Sequence, residues 1–242
     1  MRTIGNQSII DRYVGEQLVI RRYVGEQLVY ERNTRRLPKG YILVNYLQST
    51  GQQTIDTGWR SVGLKYRLEC VFEMAQSNAG VSLFGARSNT PSVTRSGSYY
   101  FGTADRPSSY IGTTTNQWTL PAATPLIVGT EYFLSFEANE LGGRTFRRQL
   151  RGDDGIINLD NSTTFTGSTI TQDGHHIFGA ITAGVAGERG YFKVKSFKAF
   201  DEDVISRDMV PCLDNTGKPC MYCFVTKQTF YNSSGSANFL YG

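Results

Sequence analysis

Apolar and polar residues alternate with a period of two along the last fifty or so residues, and no stretch carries the helical period of 3.6. Tyr191–Phe200 and Met221–Phe230 read as strands beside turn-rich loops. In the first, strict alternation places Phe192, Val194, Ser196 and Lys198 on one side. Tyr191, Lys193, Lys195, Phe197 and Ala199 fall on the other. Strands of this kind bury one side only against a facing sheet, which predicts a sandwich.

The front of the chain carries a different pattern. Residues 1–32 repeat with a period of ten: Arg12–Ile20 reads RYVGEQLVI, Arg22–Tyr30 reads RYVGEQLVY, and Arg2–Ile10 is a weaker copy. Each unit reads as strand, Gly-centred turn, strand. Leu18, Ile20 and Val24 share one face of the central strand, with Val19 and Tyr23 on the other. A short meander that is apolar on both sides leaves open edges and cannot bury itself. The expectation is an arm that docks or oligomerises through Tyr13, Val14, Leu18, Ile20, Tyr23, Val24, Leu28 and Tyr30. Residues 33–40, with Pro38 and Gly40, read as a linker to a body spanning 41–242.

Composition narrows the class. The 242 residues suit one β domain of about 200 residues plus an appendage. A body that size buries roughly 70% of its unfolded-chain surface and needs no disulfide or metal to hold it. Net charge is +4, all of it within residues 1–40, which leaves 17 basic and 17 acidic residues in the remainder. A neutral body argues against nucleic-acid binding. No run approaches the roughly 18 apolar residues of a membrane span. Residues 1–10 lack the apolar core of a signal peptide, so Sec export is not expected.

The chemistry expected is binding rather than catalysis. Glycoside hydrolysis from a strand needs acidic residues at alternating positions so that they face one cleft, and this chain has no such run. Asp201-Glu202-Asp203 is contiguous, Glu137 and Glu140 end a strand, and Asp153-Asp154 lies in a turn; all read as solvated acids. His175 and His176 are adjacent, so from one strand they point opposite ways and do not share a metal. Cys220 and Cys223 likewise face opposite sides of a strand, and Cys70, Cys212, Cys220 and Cys223 read as buried free thiols. No metal and no cofactor are expected. Sugars bind where aromatic faces stack on pyranose rings beside polar side chains. Trp59, Tyr99, Tyr100, Tyr110 and Trp118 lie in or beside Ser-, Thr-, Gly- and Asn-rich segments, and Arg87–Asn116 is the least regular and most polar-aromatic stretch.

A series of short motifs carries a family resemblance from about Leu37 to Gly242. It comprises Tyr46-Leu47-Gln48-Ser49-Thr50-Gly51, Ile55-Asp56-Thr57-Gly58, Leu83-Phe84-Gly85-Ala86-Arg87, Val210-Pro211-Cys212, Asp214-Asn215-Thr216-Gly217, Met221-Tyr222 and Phe230-Tyr231-Asn232. The chain resembles the laminin-G/concanavalin A-like jelly-roll domains of gut bacteriophage structural proteins and gut bacterial surface proteins. The departures are Cys220 and Cys223, where those domains usually have Gly and Asp. The arm resembles the hairpin repeats of phage tail and fibre proteins. The resemblance implies an all-β concanavalin A-like jelly-roll β-sandwich preceded by a short β-hairpin repeat arm. It also implies a virion component (fibre, tail appendage or capsid decoration), assembled in the host cytoplasm and released by lysis. Its partners would be further copies of itself, as a trimer, other virion proteins, and host-surface or mucus glycans. The alternatives are a purely structural virion subunit, a bacterial surface adhesin and a glycan-cleaving enzyme.

Overall fold

The computed structural model describes residues 13–14, 17–18, 21–24, 27–31, 36–61, 65–87, 95–103, 105–112, 117–119, 125–140, 144–152, 159–165, 174–182, 185–235 and 237–242. The chain divides into two units, Met1–Arg36 and Leu37–Gly242. In the first, β1 (Tyr13–Val14) pairs antiparallel with β2 (Gln17–Leu18), and β3 (Arg21–Val24) with β4 (Gln27–Glu31). Tyr13, Val14, Leu18, Tyr23, Val24, Leu28 and Tyr30 lie on these strands, while Ile20 falls outside the described residues.

The second unit opens with β5 (Ile42–Leu43), β6 (Leu47–Gln48), β7 (Ile55–Asp56), β8 (Lys65–Met74) and β9 (Val81–Arg87). Then come β10 (Arg95–Thr103), β11 (Arg106–Gly112), β12 (Gln117–Thr119), β13 (Glu131–Asn139), β14 (Thr145–Gly152) and β15 (Leu159–Thr164). It continues with β16 (His176–Ile177), β17 (Ala180–Thr182), β18 (Val185–Gly187) and β19 (Phe192–Asp201). The last are β20 (Val204–Leu213), β21 (Pro219–Cys223), β22 (Gln228–Phe230) and β23 (Leu240–Tyr241). No helix occurs among the described residues, so none there is long and apolar enough to cross a membrane.

Two sheets result. The larger runs β15-β14-β13-β8-β19-β20-β21-β22, with β5, β6 and β23 attached; the smaller runs β12-β11-β10-β9-β16-β7, with β17 paired to β9 and β18 to β17. Among the described residues every pairing between these strands is antiparallel except β17 with β9, and Ser82 and Arg189 form an isolated parallel bridge. The expected all-β sandwich is the fold.

Strand β8 shows why the sheets pack. Burial alternates without a break along KYRLECVFEM, with Val71 the one apolar residue on the outer face, and Tyr66, Leu68, Cys70, Phe72 and Met74 are all buried. These meet Tyr132, Leu134 and Phe136 of β13 and, from the other sheet, Phe84, Tyr99 and Phe101. Each such side chain contributes roughly 1.5–3 kcal/mol by leaving water. The core also holds a cation: Arg148 of β14 is 1% exposed and its Nη1 donates to Ser109 Oγ of the other sheet at 3.1 Å. Burial pulls its pKa below the usual arginine range, and the Tyr99 phenol opposes that shift.

Strict alternation fails in β19. Phe192 and Val194 are buried, but so are Phe197 and Ala199, whereas Ser196 and Lys198 are not. A β-bulge makes the change of phase: Val194 opposes Phe72 and Ser196 opposes Val71, so Lys195 is the extra residue. Two further expectations are corrected. Met221–Phe230 is two strands, β21 and β22, joined by a turn in which Lys227 has φ 59°. The stretch 201–213, read as loop, is mostly β20, entered through a turn with φ 47° at Glu202 and 70° at Asp203.

The turn joining β20 to β21 is built on Asp214. Its Oδ1 accepts from Thr216 N (2.8 Å), Thr216 Oγ1 (2.6 Å) and Lys218 N (2.9 Å), and Oδ2 accepts from Tyr231 Oη (2.8 Å). The Thr216 hydroxyl, followed by the Lys218 amide, holds its carboxyl well below the usual carboxylate range. A depressed pKa contributes stability above the ordinary value of about 4 that is lost as pH falls below it. Asp214→Asn should therefore lower Tm at pH 7 and shrink that loss in a pH series from 7 to 3. Asp203→Asn, which removes an exposed ion pair with Lys65 (2.7 Å), should change Tm far less. Equal effects from the two substitutions would refute this account of the turn.

Candidate functional site

The outer face of the larger sheet is where alternation puts polar side chains, and antiparallel register sorts them into rows. Phe200, Arg67, Glu137 and Arg147 stand opposite one another across β19, β8, β13 and β14. The next row is Lys198, Glu69, Ser135 and Gln149; beyond it come Ser196, Val71, Phe133 and Arg151. A fourth row brings Lys193, Glu73 and Glu131 together, and there Lys193 donates to Glu73 and Lys195 to Glu131. Opposite charges facing each other across strands account for this part of the surface.

Between the first three rows lies a depression of about 150 Å³, lined by Arg67, Glu69, Phe133, Ser135, Glu137, Arg147 and Gln149. Arg67 is fixed on two sides: its guanidinium lies 4.1 Å from the Phe200 ring centroid, and its Nε is 3.0 Å from Glu69 Oε1. Phe133 gives a half-buried aromatic surface, Ser135 and Gln149 give hydroxyl and amide groups, and Glu137 and Arg147 give charge of both signs. The space takes one sugar-sized group rather than a long chain.

The residues expected from sequence do not form this site. Trp59 is 2% exposed; its Nε1 donates to Asp201 Oδ2 at 2.9 Å and its ring centroid is 4.7 Å from that of His175. Tyr99 is fully buried among Phe72, Phe84 and Phe101. Both are core residues with no face left for a pyranose ring, so their assignment as sugar-stacking residues is corrected. Tyr100, next along β10, is half-buried and opposes Ser82 and Ser108. Tyr110 pairs with Gln117, and Trp118 with Ser109; the side chains of Tyr110 and Trp118 lie outside the described residues. The stretch 87–116 is not irregular throughout: β10 and β11 form a hairpin in the smaller sheet.

The other candidates settle as packing groups. His175 is buried against Trp59 and Tyr66, and its carbonyl accepts from Thr57 Oγ1 at 2.7 Å. His176 is 4% exposed with Nε2 3.9 Å from Asp56 Oδ1. All four cysteines are free and buried. Among the described residues no group of three or more His, Cys, Asp or Glu is placed to hold a metal ion. The groove was legible in part, since Lys65, Arg67 and Glu69 alternate with apolar residues along β8 and so share one face; the cross-strand register that adds Phe133, Glu137 and Arg147 was not.

No protein-family model and no curated protein matches the sequence. Solved structures do share the fold. A putative carbohydrate-binding protein from Bacteroides ovatus superposes with a TM-score of 0.53 at 10% identity, over 83% of this chain and 60% of that one. A mutant of the NanB sialidase from Streptococcus pneumoniae gives 0.50 at 14% identity, over 66% of this chain and 26% of that one. The chain thus spans less than two thirds of either protein, and at these identities the likeness is one of fold. It places the body among β-sandwich domains of the kind found in such proteins.

Proposed function

We propose that the body binds carbohydrate through the groove on the outer face of the larger sheet, and that the repeat arm carries it on a bacteriophage virion. The observation that carries the binding reading is the depression between Arg67, Glu137 and Arg147, floored in part by Phe133. Hydroxyl-rich ligands use a partly exposed ring and several fixed polar groups together. The fold likeness to a putative carbohydrate-binding protein supports it. The virion assignment rests on the motifs and the ten-residue repeats. In this reading the arm gathers further copies, as a trimer, and meets other virion proteins in the host cytoplasm before lysis.

A glycan array with the full chain tests binding. Specific signal is expected, and Phe133→Ala should weaken it by about tenfold, roughly 1.4 kcal/mol of lost stacking and burial, with little change in Tm. Silence from a folded chain would leave the purely structural subunit as the better account. Capsid, portal or tail genes beside this one are expected; surface-anchoring genes in their place would favour a bacterial adhesin.

Glycan cleavage has one observation behind it. Glu69 and Glu137 occupy diagonal positions across β8 and β13, with side-chain origins roughly 7–8 Å apart. Inverting glycosidases hold their two carboxyl groups about 6.5–9.5 Å apart, a separation that two Glu side chains rooted at diagonal positions are able to span. Glu69 Oε1, however, lies 3.0 Å from Arg67 Nε, so one of its two oxygens is taken up by an ion pair rather than offered to a leaving group. Binding without cleavage is the reading we adopt. Reducing ends released by the wild type and abolished by Glu137→Gln would overturn it.

A further inference from the structure

Two of the four cysteines face each other. Cys212 of β20 and Cys220 of β21 are direct cross-strand partners, one step in from the Asp214 turn. Their Sγ atoms are 3.5 Å apart, both residues are fully buried, and both thiols are free. Opposed residues of an antiparallel pair have Cα atoms about 4.5–5.5 Å apart, inside the roughly 4.4–6.8 Å that disulfides span. Small side-chain rotations therefore suffice to bring the sulfurs to bonding distance.

The pair is set apart from the main core. Cys223, at the other end of β21, packs in the sandwich interior with Cys70. Cys212 and Cys220 lie on the opposite side of the sheet with Tyr222, beneath Leu37, Tyr41, Phe224 and Tyr231. Leu37 and Tyr41 belong to the first residues of the body, and β5 beside them pairs with Cys212 and Leu213. Access for a small reagent requires that entry segment to open locally.

We propose that Cys212 and Cys220 are a redox-modification site, a cross-strand dithiol that closes to a disulfide when it meets a small-molecule disulfide such as oxidised glutathione. The Cys212 thiolate attacks one glutathione sulfur, forming a mixed disulfide and expelling a glutathione thiolate. The Cys220 thiolate then attacks the Cys212 sulfur, forming the intrachain bond and expelling the second glutathione. Two electrons pass to the reagent, the two thiol protons end on the two glutathione thiols, and the protein becomes two hydrogens lighter. Cys212 acts first because the Cys220 thiol is held as a donor, its sulfur 3.5 Å from the Cys212 sulfur and 3.5 Å from the Cys212 carbonyl oxygen, an arrangement that favours the Cys212 thiolate over that of Cys220. The single Cys220 thiol proton is shared between those two acceptors.

The test treats the full chain with oxidised glutathione at neutral pH and counts thiols after denaturation. The count should fall from four to two, with non-reducing peptide mapping joining Cys212 to Cys220 and a Tm above that of the reduced protein. In Cys220→Ser the same treatment should leave one glutathione on Cys212. Four surviving thiols, a persistent glutathione adduct on the wild type, or a crosslink through Cys70 or Cys223 would each overturn the proposal. An unmodified Cys220→Ser would overturn the order of attack.

Discussion

Phe84→Ala is expected to destabilise the protein by about 3–5 kcal/mol, the usual cost of removing a fully buried ring. Phe84 projects from β9 of the smaller sheet and meets rings from both sides of the interior. Its centroid lies 6.2 Å from Tyr99 in its own sheet, and 6.3 and 6.0 Å from Phe136 and Phe197 of the larger one. Truncation therefore loses transfer free energy and also leaves a cavity at the sheet interface, which two paired strand frameworks cannot easily close. For a chain of this length the corresponding fall in Tm is about 6–20 °C. Urea unfolding at 25 °C measures it. A change below about 1 kcal/mol would mean that the sheets collapse around the gap, against the rigid packing assumed.

Gly190→Ala should have the second-largest effect, from overfilling rather than emptying the core. A Cβ built on Gly190 would overlap Phe192 Cε2 and lie 2.8 Å from Cδ2 and 2.9 Å from Cζ. That ring is fully buried between Phe72 and Phe101, at centroid distances of 6.2 and 5.2 Å. The backbone cannot retreat freely, because the Gly190 amide donates to the Phe178 carbonyl at 3.1 Å. Added volume of this kind costs about 1–3 kcal/mol, sometimes more. The mechanism has a signature: Phe192→Leu, harmful alone, should cost less when combined with Gly190→Ala than the sum of the two. Strict additivity would show that the ring is not the obstacle.

Much of this fold is visible in the sequence because period-two alternation is a local property. KYRLECVFEM needs no tertiary information to be read as a half-buried strand, and its buried positions are the ones that alternation marks. Two kinds of feature escaped. Aromatic residues in polar surroundings look like a sugar platform, yet Trp59 and Tyr99 are interior, and the serines near them, Ser61, Ser98 and Ser109, are buried as well. Composition around a residue does not report which way its strand faces. The groove escaped for another reason. Arg67, Glu137 and Arg147 are far apart in sequence and meet only through the registers of β8 with β13 and of β13 with β14. Register is settled jointly by every pair along the ladder, so no single segment announces it.

The bulge at Lys195 has a consequence for how the chain finds its partners. Its two flanks present greasy positions in opposite parity, odd on one side and even on the other. A one-residue slip against β8 that suited either flank alone would drive lysines of the other into the oily interior. Shifts by one residue are thus penalised whichever half nucleates first, which narrows the alignments open to a ten-residue ribbon.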